Sequence, residues 1–326
     1  MIVKSVITGR LRHLSGWPDP GGRVAYEAAY QQVLEELWPV PFESRLVATE
    51  HGSTHVLVSG DPQAPPLVAF HGAGLSATSW YPNVAALTEH HRLYAVDAVF
   101  DRGLGTQTAF VRTAEDCAQW AAEVLDGLQL NRTAVAGLSQ GGWVAAALAT
   151  AHPDRVSRLA LLAPVGALRR FKLPFWLLFR GAQDLLPAGD PHKRAERVFA
   201  MVGLQPEEPF LNLVALGSAH FREQRPPAFP RPLSDEALRR LTMPTLLLVA
   251  GKEVLYDVDK ALARAHRLIP HLTADTVPGA GHFVAMAAPT DVDQRLVVFL
   301  TEAPAQGQGI SPADQAPPIS QHPPID

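Results

Sequence analysis

Five short apolar runs constrain the fold of this chain more than any other feature of it. PLVAF, RLYAV, TAVAG, LALLA and TLLLV begin at Pro66, Arg92, Thr133, Leu159 and Thr245, and helical periodicity separates most of them. A strand covered on one face alternates apolar with polar residues, whereas a run apolar throughout belongs to a sheet buried on both faces. The pattern predicts an α/β architecture, a mostly parallel central sheet flanked by helices. HVLVSG, at 55–60, alternates like a half-exposed strand, and an amphipathic helix is expected over about 26–37. With 326 residues, 47% of them hydrophobic, the chain can bury a large core, and one domain carrying an elaboration is the natural arrangement.

Charge and cysteine usage narrow the class of partner. The net charge is −4 and the basic residues are dispersed, which argues against nucleic acid and against an anionic membrane surface. The opening MIVKSVITGRLRHLSG lacks a continuous apolar core of the kind a secretory signal needs, and no stretch reaches the length of a membrane span. Cys117 is the single cysteine, so an internal disulfide and a cysteine-based zinc site are excluded. It sits in the helical pattern AEDCAQWAAEVLDGL, where a core-facing role is expected. A reducing, cytoplasmic setting is the expectation that follows.

Ligand sites of open α/β sheets lie at the carboxyl ends of the strands, and the chemically suggestive residues of this chain follow those ends. PLVAF runs into His71-Gly72-Ala73-Gly74, where glycines permit a sharp turn with amides free to face an anion. RLYAV is followed by Asp97 and by Asp101-Arg102-Gly103-Leu104-Gly105. TAVAG leads into Gly137-Leu138-Ser139-Gln140-Gly141 and a second apolar run, the strand, G-x-S-x-G turn and helix that lift a serine hydroxyl off a strand end. The plain alternative for Ser139 is a helix cap. TLLLVA precedes Gly251-Lys252-Glu253, with Asp257 a turn later, and VPGAGHFVAM places His282 after a glycine-rich loop. Nucleophile, carboxylate and histidine in that chain order are what one kind of serine hydrolase requires.

The HGAG loop, the GLSQGG elbow and the GAGH segment, in that order and spacing, resemble the α/β-hydrolase superfamily over roughly 45–300. STHVLVSG, HGAGLSATSWYPN, GKEVLYD and PGAGH together look like its bacterial carboxylesterase-type members. The resemblance implies that His282 takes the proton of Ser139 as general base, that a carboxylate orients the imidazole, and that the backbone amides of Gln140 and Ala73 receive the oxyanion. His71, Gly72 and Gly74 then support the oxyanion loop, His71 by hydrogen bonding. Many relatives carry Gly-x-x-Asp after the penultimate strand, but here the third position after Gly251 is Val254. Glu253, one residue early, is preferred as the acid because its extra methylene offsets a shortened turn. Asp257 is the rival, with a helix N-cap for DVDKALARAHRLI as its structural account.

Other residues receive smaller expectations. Asp97 reads as a structural turn residue, and Arg102 as a solvated salt bridge in preference to a contact with a substrate carboxylate. No cofactor, nucleotide or metal is implied, since neither G-x-G-x-x-G nor a P-loop lysine is present. Residues 165–243 interrupt the alternation and carry helical patterns of their own, so a helical cap inserted into a core of 46–164 and 244–302 is expected. Within it Phe171, Phe175, Trp176, Leu177 and Phe179 form an apolar face for an acyl pocket or for packing against the core. Residues 1–45 read as a helical N-terminal extension without an assigned role, and the proline- and glutamine-rich 303–326 as a disordered tail. The expected reaction is hydrolysis of small to medium uncharged carboxylic esters through an acyl-enzyme. C–C bond hydrolysis or acyl transfer in the same site, and a non-catalytic receptor of the same fold, are the alternatives. Serine in place of aspartate at the elbow argues against haloalkane or epoxide chemistry.

Overall fold

Each of the five apolar runs is a strand in the interior of one sheet. The computed structural model describes residues 14–172, 189–225 and 228–302. The strands are β1 (Phe42–Thr49), β2 (Gly52–Ser59), β3 (Pro66–Phe70), β4 (Arg92–Val96), β5 (Thr106–Gln107), β6 (Thr133–Leu138), β7 (Val156–Leu162), β8 (Thr245–Ala250) and β9 (Leu272–Val277). Their order is β1-β2-β4-β3-β6-β7-β8-β9, with β5 on β2. Pairing is parallel from β4 through β3 to β9, and β1, β2 and β5 join antiparallel.

β3 shows why an unbroken apolar run demands this arrangement. Val68 and Phe70 enter the hydrophobic cluster on one face of the sheet while Leu67 and Ala69 enter the cluster on the other. Full burial of a large aliphatic or aromatic side chain contributes roughly 1.5–3 kcal/mol, so only cover on both faces uses them all. The first face is covered by α3 (Ala114–Gly127), α4 (Gln140–Ala151), α7 (Asp235–Arg239) and α8 (Val258–Leu268), which supply Trp120, Trp143, Leu238 and Ala265. The second is covered by α1 (Pro20–Leu37), α2 (Val84–Thr88), α5 (Pro191–Met201), α6 (Glu208–His220), α9 (Val284–Ala287) and α10 (Pro289–Thr301), through Tyr30, Leu87, Phe199, Phe210, Val284 and Leu296. Cys117 on α3 is fully buried, and that burial pushes its thiol well above the ordinary cysteine range. No helix among the described residues is long and apolar enough to cross a membrane.

The N-terminal helix begins earlier than its apolar periodicity suggests. Asp19 accepts the N–H groups of Gly21 and Gly22, each at 3.0 Å, and Pro20 occupies the first helical position, where no N–H is needed. Gly22 matters for packing: a Cβ there would lie 2.5 Å from the His220 ring, so α1 crosses α6 at close range. Trp17 packs on Tyr26 and Phe221, and Gly16 bridges Arg222. These contacts bind the N-terminal segment to the long insertion between β7 and β8. β1 starts at Phe42, so the sheet itself reaches slightly into the stretch read as an extension.

Candidate active site

The turn after β6 is built by what its neighbours cannot carry. Ser139 has φ 55° and ψ −115°, a left-handed conformation uncommon for a residue with a Cβ. Its N–H bonds Leu162 O at 2.9 Å, and its carbonyl accepts from Gly142, Trp143 and Val165. A Cβ on Gly137 would meet Gly141 O at 2.2 Å, and one on Gly141 would meet Phe70 O at 2.2 Å. The two glycines therefore let the start of α4 press onto β3, and the serine between them is held at the strand end. Strain of this kind persists only where surrounding bonds over-determine it, which is characteristic of functional turns.

Ser139, His282 and Glu253 come together although 143 residues separate the first pair in sequence. Ser139 Oγ lies 2.8 Å from His282 Nε2, and His282 Nδ1 lies 2.8 Å from Glu253 Oε2. The side chains of His282 and Glu253 are 1% and 0% exposed. The second carboxylate oxygen, Oε1, accepts the N–H of Leu255 at 2.9 Å. Because an ionised carboxylate only accepts, the ring proton sits on Nδ1 and leaves Nε2 free to receive the serine proton. The loop bearing Glu253 is fastened to the histidine loop: Gly251 N–H donates to Val277 O and Lys252 N–H to Ala280 O. The His282 N–H in turn donates to Val202 O, from the insertion, at 3.0 Å. A Cβ on Gly281 would lie 1.9 Å from that same carbonyl, so the approach requires glycine.

Asp257 is not part of this arrangement. It caps α8, accepting the Lys260 N–H at 3.1 Å and pairing with the Lys260 ammonium at 3.0 Å. The backbone hydrogen bond from Lys260, followed by its side chain, holds the Asp257 carboxyl below the usual range.

The loop after β3 packs beside the serine, since a Cβ on Gly72 would come 3.4 Å from Ser139 Cβ. His71 Nε2 accepts the Ala98 N–H at 2.9 Å, which places its proton on Nδ1, and Nδ1 donates to Gly72 O at 2.8 Å. Gly74, at φ 70°, is held from both sides of its peptide: its N–H donates to Asp101 Oδ2 at 2.7 Å, and Arg102 Nη1 donates to its carbonyl at 2.9 Å. Between the fixed Gly72 and Gly74, the Ala73 N–H has no partner among the described residues, and neither has the Gln140 N–H at the start of α4. The Gln140 side chain donates to Ala228 O at 2.9 Å, another tie to the insertion.

Arg102 corrects the expectation of a solvated salt bridge. It is 7% exposed and pins the Gly74 carbonyl, because the D-R-G loop turns back over the loop after β3. The clamp by Asp101 and Arg102 escaped sequence reasoning, as did Val202 O. Both act across distant segments and carry no local pattern. Asp97 is a buried hub, accepting from Ala77 N–H at 2.6 Å, Leu104 N–H at 3.1 Å and the His55 ring at 2.9 Å. Burial alone would raise its carboxyl, but the hydrogen bond from His55 reverses the effect and holds it below the usual range. Phe171 stacks on Phe229 at 5.3 Å within the packing of the first face. Phe175, Trp176, Leu177 and Phe179 lie outside the described residues, as does 303–326.

Behind the histidine loop, Asn83 Nδ2 donates to Ala285 O at 3.0 Å and to Asp293 Oδ1 at 2.7 Å, joining α2 to α9 and α10. Asn83 Oδ1 has no partner among the described residues. Burial raises the Asp293 carboxyl from 3.8 to about 6, against the opposing hydrogen bond from Asn83. A folded pKa above the unfolded one means that the folded state binds more protons. Stability then falls as pH rises through 3.8, and the whole cost is present above about 6. Asp293→Asn removes the charge and offers Asn83 Oδ1 a donor. Its unfolding free energy should exceed wild type's above pH ~6 by an amount on the order of 1–3 kcal/mol, shrinking toward pH ~4. A gap that does not change between those pH values rules out titration of Asp293 as its origin.

Comparison with known proteins shows what the chain is similar to. Residues 67–295 match the alpha/beta hydrolase family. Carboxylesterase YbfK of Bacillus subtilis is 32% identical over 284 residues, spanning 83% of this chain and 92% of that protein. A second Bacillus subtilis protein, described as the uncharacterized carboxylesterase nap, is 33% identical over 297 residues, spanning 85% and 92%. The crystal structure of naproxen esterase (carboxylesterase NP) from Bacillus subtilis matches with a TM-score of 0.79 at 32% identity, covering 85% of this chain and 98% of that one. Among the described residues, no group of histidine, cysteine, aspartate and glutamate side chains is arranged to hold a metal ion.

Proposed function

The chain belongs to the alpha/beta hydrolase family, and on that premise we propose that it is a carboxylesterase that cleaves small to medium uncharged esters through an acyl-enzyme on Ser139. The observation that carries the reading is the unbroken relay from Ser139 Oγ through His282 to the buried Glu253. A serine hydroxyl is a weak nucleophile near neutral pH, and it becomes competent when a base accepts its proton as the bond to carbon forms. His282 Nε2 takes that proton, and Glu253 stabilises the imidazolium and holds its tautomer. Negative charge gathers on the former carbonyl oxygen, where the Ala73 and Gln140 amides receive it. Each such donor is worth about two to three orders of magnitude in rate. His282 then protonates the departing alcohol, and water, activated by the same ring, releases the acid and restores the serine.

On the same reading, the insertion at 165–243 is a cap over the core of 46–164 and 244–302, and the segment before residue 46 anchors it. The ties from Val202 to His282, from Ala228 to Gln140 and from α6 to α1 support that division. A panel of p-nitrophenyl esters of rising acyl length tests the assignment. The expected result is a burst of p-nitrophenol close to one equivalent per enzyme followed by slower turnover. Binding of the esters without release of p-nitrophenol overturns it in favour of a receptor.

A further inference from the structure

We infer that Ser44 is a second acyl-accepting nucleophile, activated by His55 and Asp97 and separate from Ser139. Ser44 Oγ lies 2.6 Å from His55 Nε2, and His55 Nδ1 lies 2.9 Å from Asp97 Oδ2. Serine, histidine and carboxylate meet through the same ring atoms as in Ser139, His282 and Glu253, and the inference does not rest on the role proposed for that site. The two serines are well apart: β1, which carries Ser44, and β6, which leads to Ser139, are four steps apart in the strand order, roughly 19 Å at the usual strand spacing.

The arrangement fixes the direction of the protons. Asp97 is 1% exposed, is held by the Ala77 and Leu104 amides, and can only accept, so the His55 ring carries its proton on Nδ1. The Tyr30 ring stands edge-on to His55 at 5.8 Å, and the Tyr30 hydroxyl reaches Asp97 at 3.3 Å, so the imidazole cannot turn away. Nε2 is left as an acceptor facing the Ser44 hydroxyl. His55 is 2% exposed, whereas Ser44 is exposed on the edge strand. Base and acid are thus buried while the nucleophile faces solvent, where an ester can reach it.

An amide is also at hand. Thr49 and Gly52 flank a two-residue turn and pair with each other, which makes them a hydrogen-bonded pair of the antiparallel ladder. Counting back from Thr49, alternate residues fall in the other set, so Ser44, paired with Leu57, directs its N–H away from β2 and over the free edge. One donor in place of two limits the chemistry to esters with good leaving groups. Ser44 Oγ attacks the carbonyl carbon, its proton passes to His55 Nε2, the bond to the leaving oxygen breaks, and the proton goes on to that oxygen. The products are an O-acyl Ser44 and a free phenol or alcohol. Deacylation meets the same single donor, so the acyl group accumulates.

The test uses the full chain carrying Ser139→Ala, treated with p-nitrophenyl acetate and followed by site-resolved peptide mass spectrometry. Ser44 should acetylate at least about tenfold faster than the exposed Ser234, whose hydroxyl caps α7 by accepting the Ala237 N–H, and His55→Asn should bring the two rates together. Equal rates at Ser44 and Ser234 overturn the inference, and so does a folded His55→Asn protein that still labels Ser44 at the full rate. If His55→Asn fails to fold, the comparison of the two serines in the Ser139→Ala parent decides alone.

Discussion

Ser139→Ala lowers turnover of a p-nitrophenyl ester by about three orders of magnitude or more and leaves the melting temperature near that of the wild type. The hydroxyl makes its hydrogen bond to His282, not into the packed layers, so its loss removes chemistry and little packing. The strained backbone stays as it was, because alanine and serine each place a Cβ at φ 55°. His282→Ala should be nearly as damaging, since the serine then keeps its proton. The double variant carries the sharper prediction: it should be no slower than the worse single variant, because either loss already disables the unit. A double variant slower by the product of the two single losses would show that the residues contribute separately. A Ser139→Ala enzyme keeping even about a tenth of its turnover would remove the acyl-enzyme from the account.

What could be read in the sequence follows from how burial writes itself into residue patterns. The inner strands were legible because cover on both faces leaves few places for polar residues, as in TLLLVA, buried throughout with Thr245 its one polar member. β1 and β9 were not, because they are the edges: FESRLVAT is largely exposed, and LTADTV alternates between exposed and half-buried positions. Ser139, His282 and Glu253 could be found because each sits beside a glycine-bearing turn at a strand end, where close backbone approach restricts the sequence. The clamp on Gly74, the Val202 carbonyl on His282 and the contact of His55 with Asp97 join segments far apart in the chain, and Ser44 meets His55 only through the register of the first hairpin. They use residues that are commonplace individually, and only the fold shows that they meet.

Glu253→Gln should cost about a hundredfold or more in turnover. The reason lies in the two bonds that Glu253 accepts, from His282 Nδ1 at 2.8 Å and from the Leu255 N–H at 2.9 Å. A glutamine has one acceptor oxygen for two donors. If that oxygen takes Leu255, the amide NH₂ faces Nδ1, moves the ring proton to Nε2, and leaves His282 unable to accept from Ser139. If it takes His282 instead, the NH₂ faces the Leu255 N–H, and the turn that fixes the acid is disturbed while the charge that steadied the imidazolium is gone. Asp257→Asn is the control on the neighbouring carboxylate: asparagine caps a helix about as well as aspartate, so α8 and activity should both be preserved. Measured side by side on one ester, an inactive Asp257→Asn enzyme beside an active Glu253→Gln enzyme would reverse the assignment. Loss in both would mean that the loop from Gly251 to Asp257 acts through its shape and not through one carboxylate.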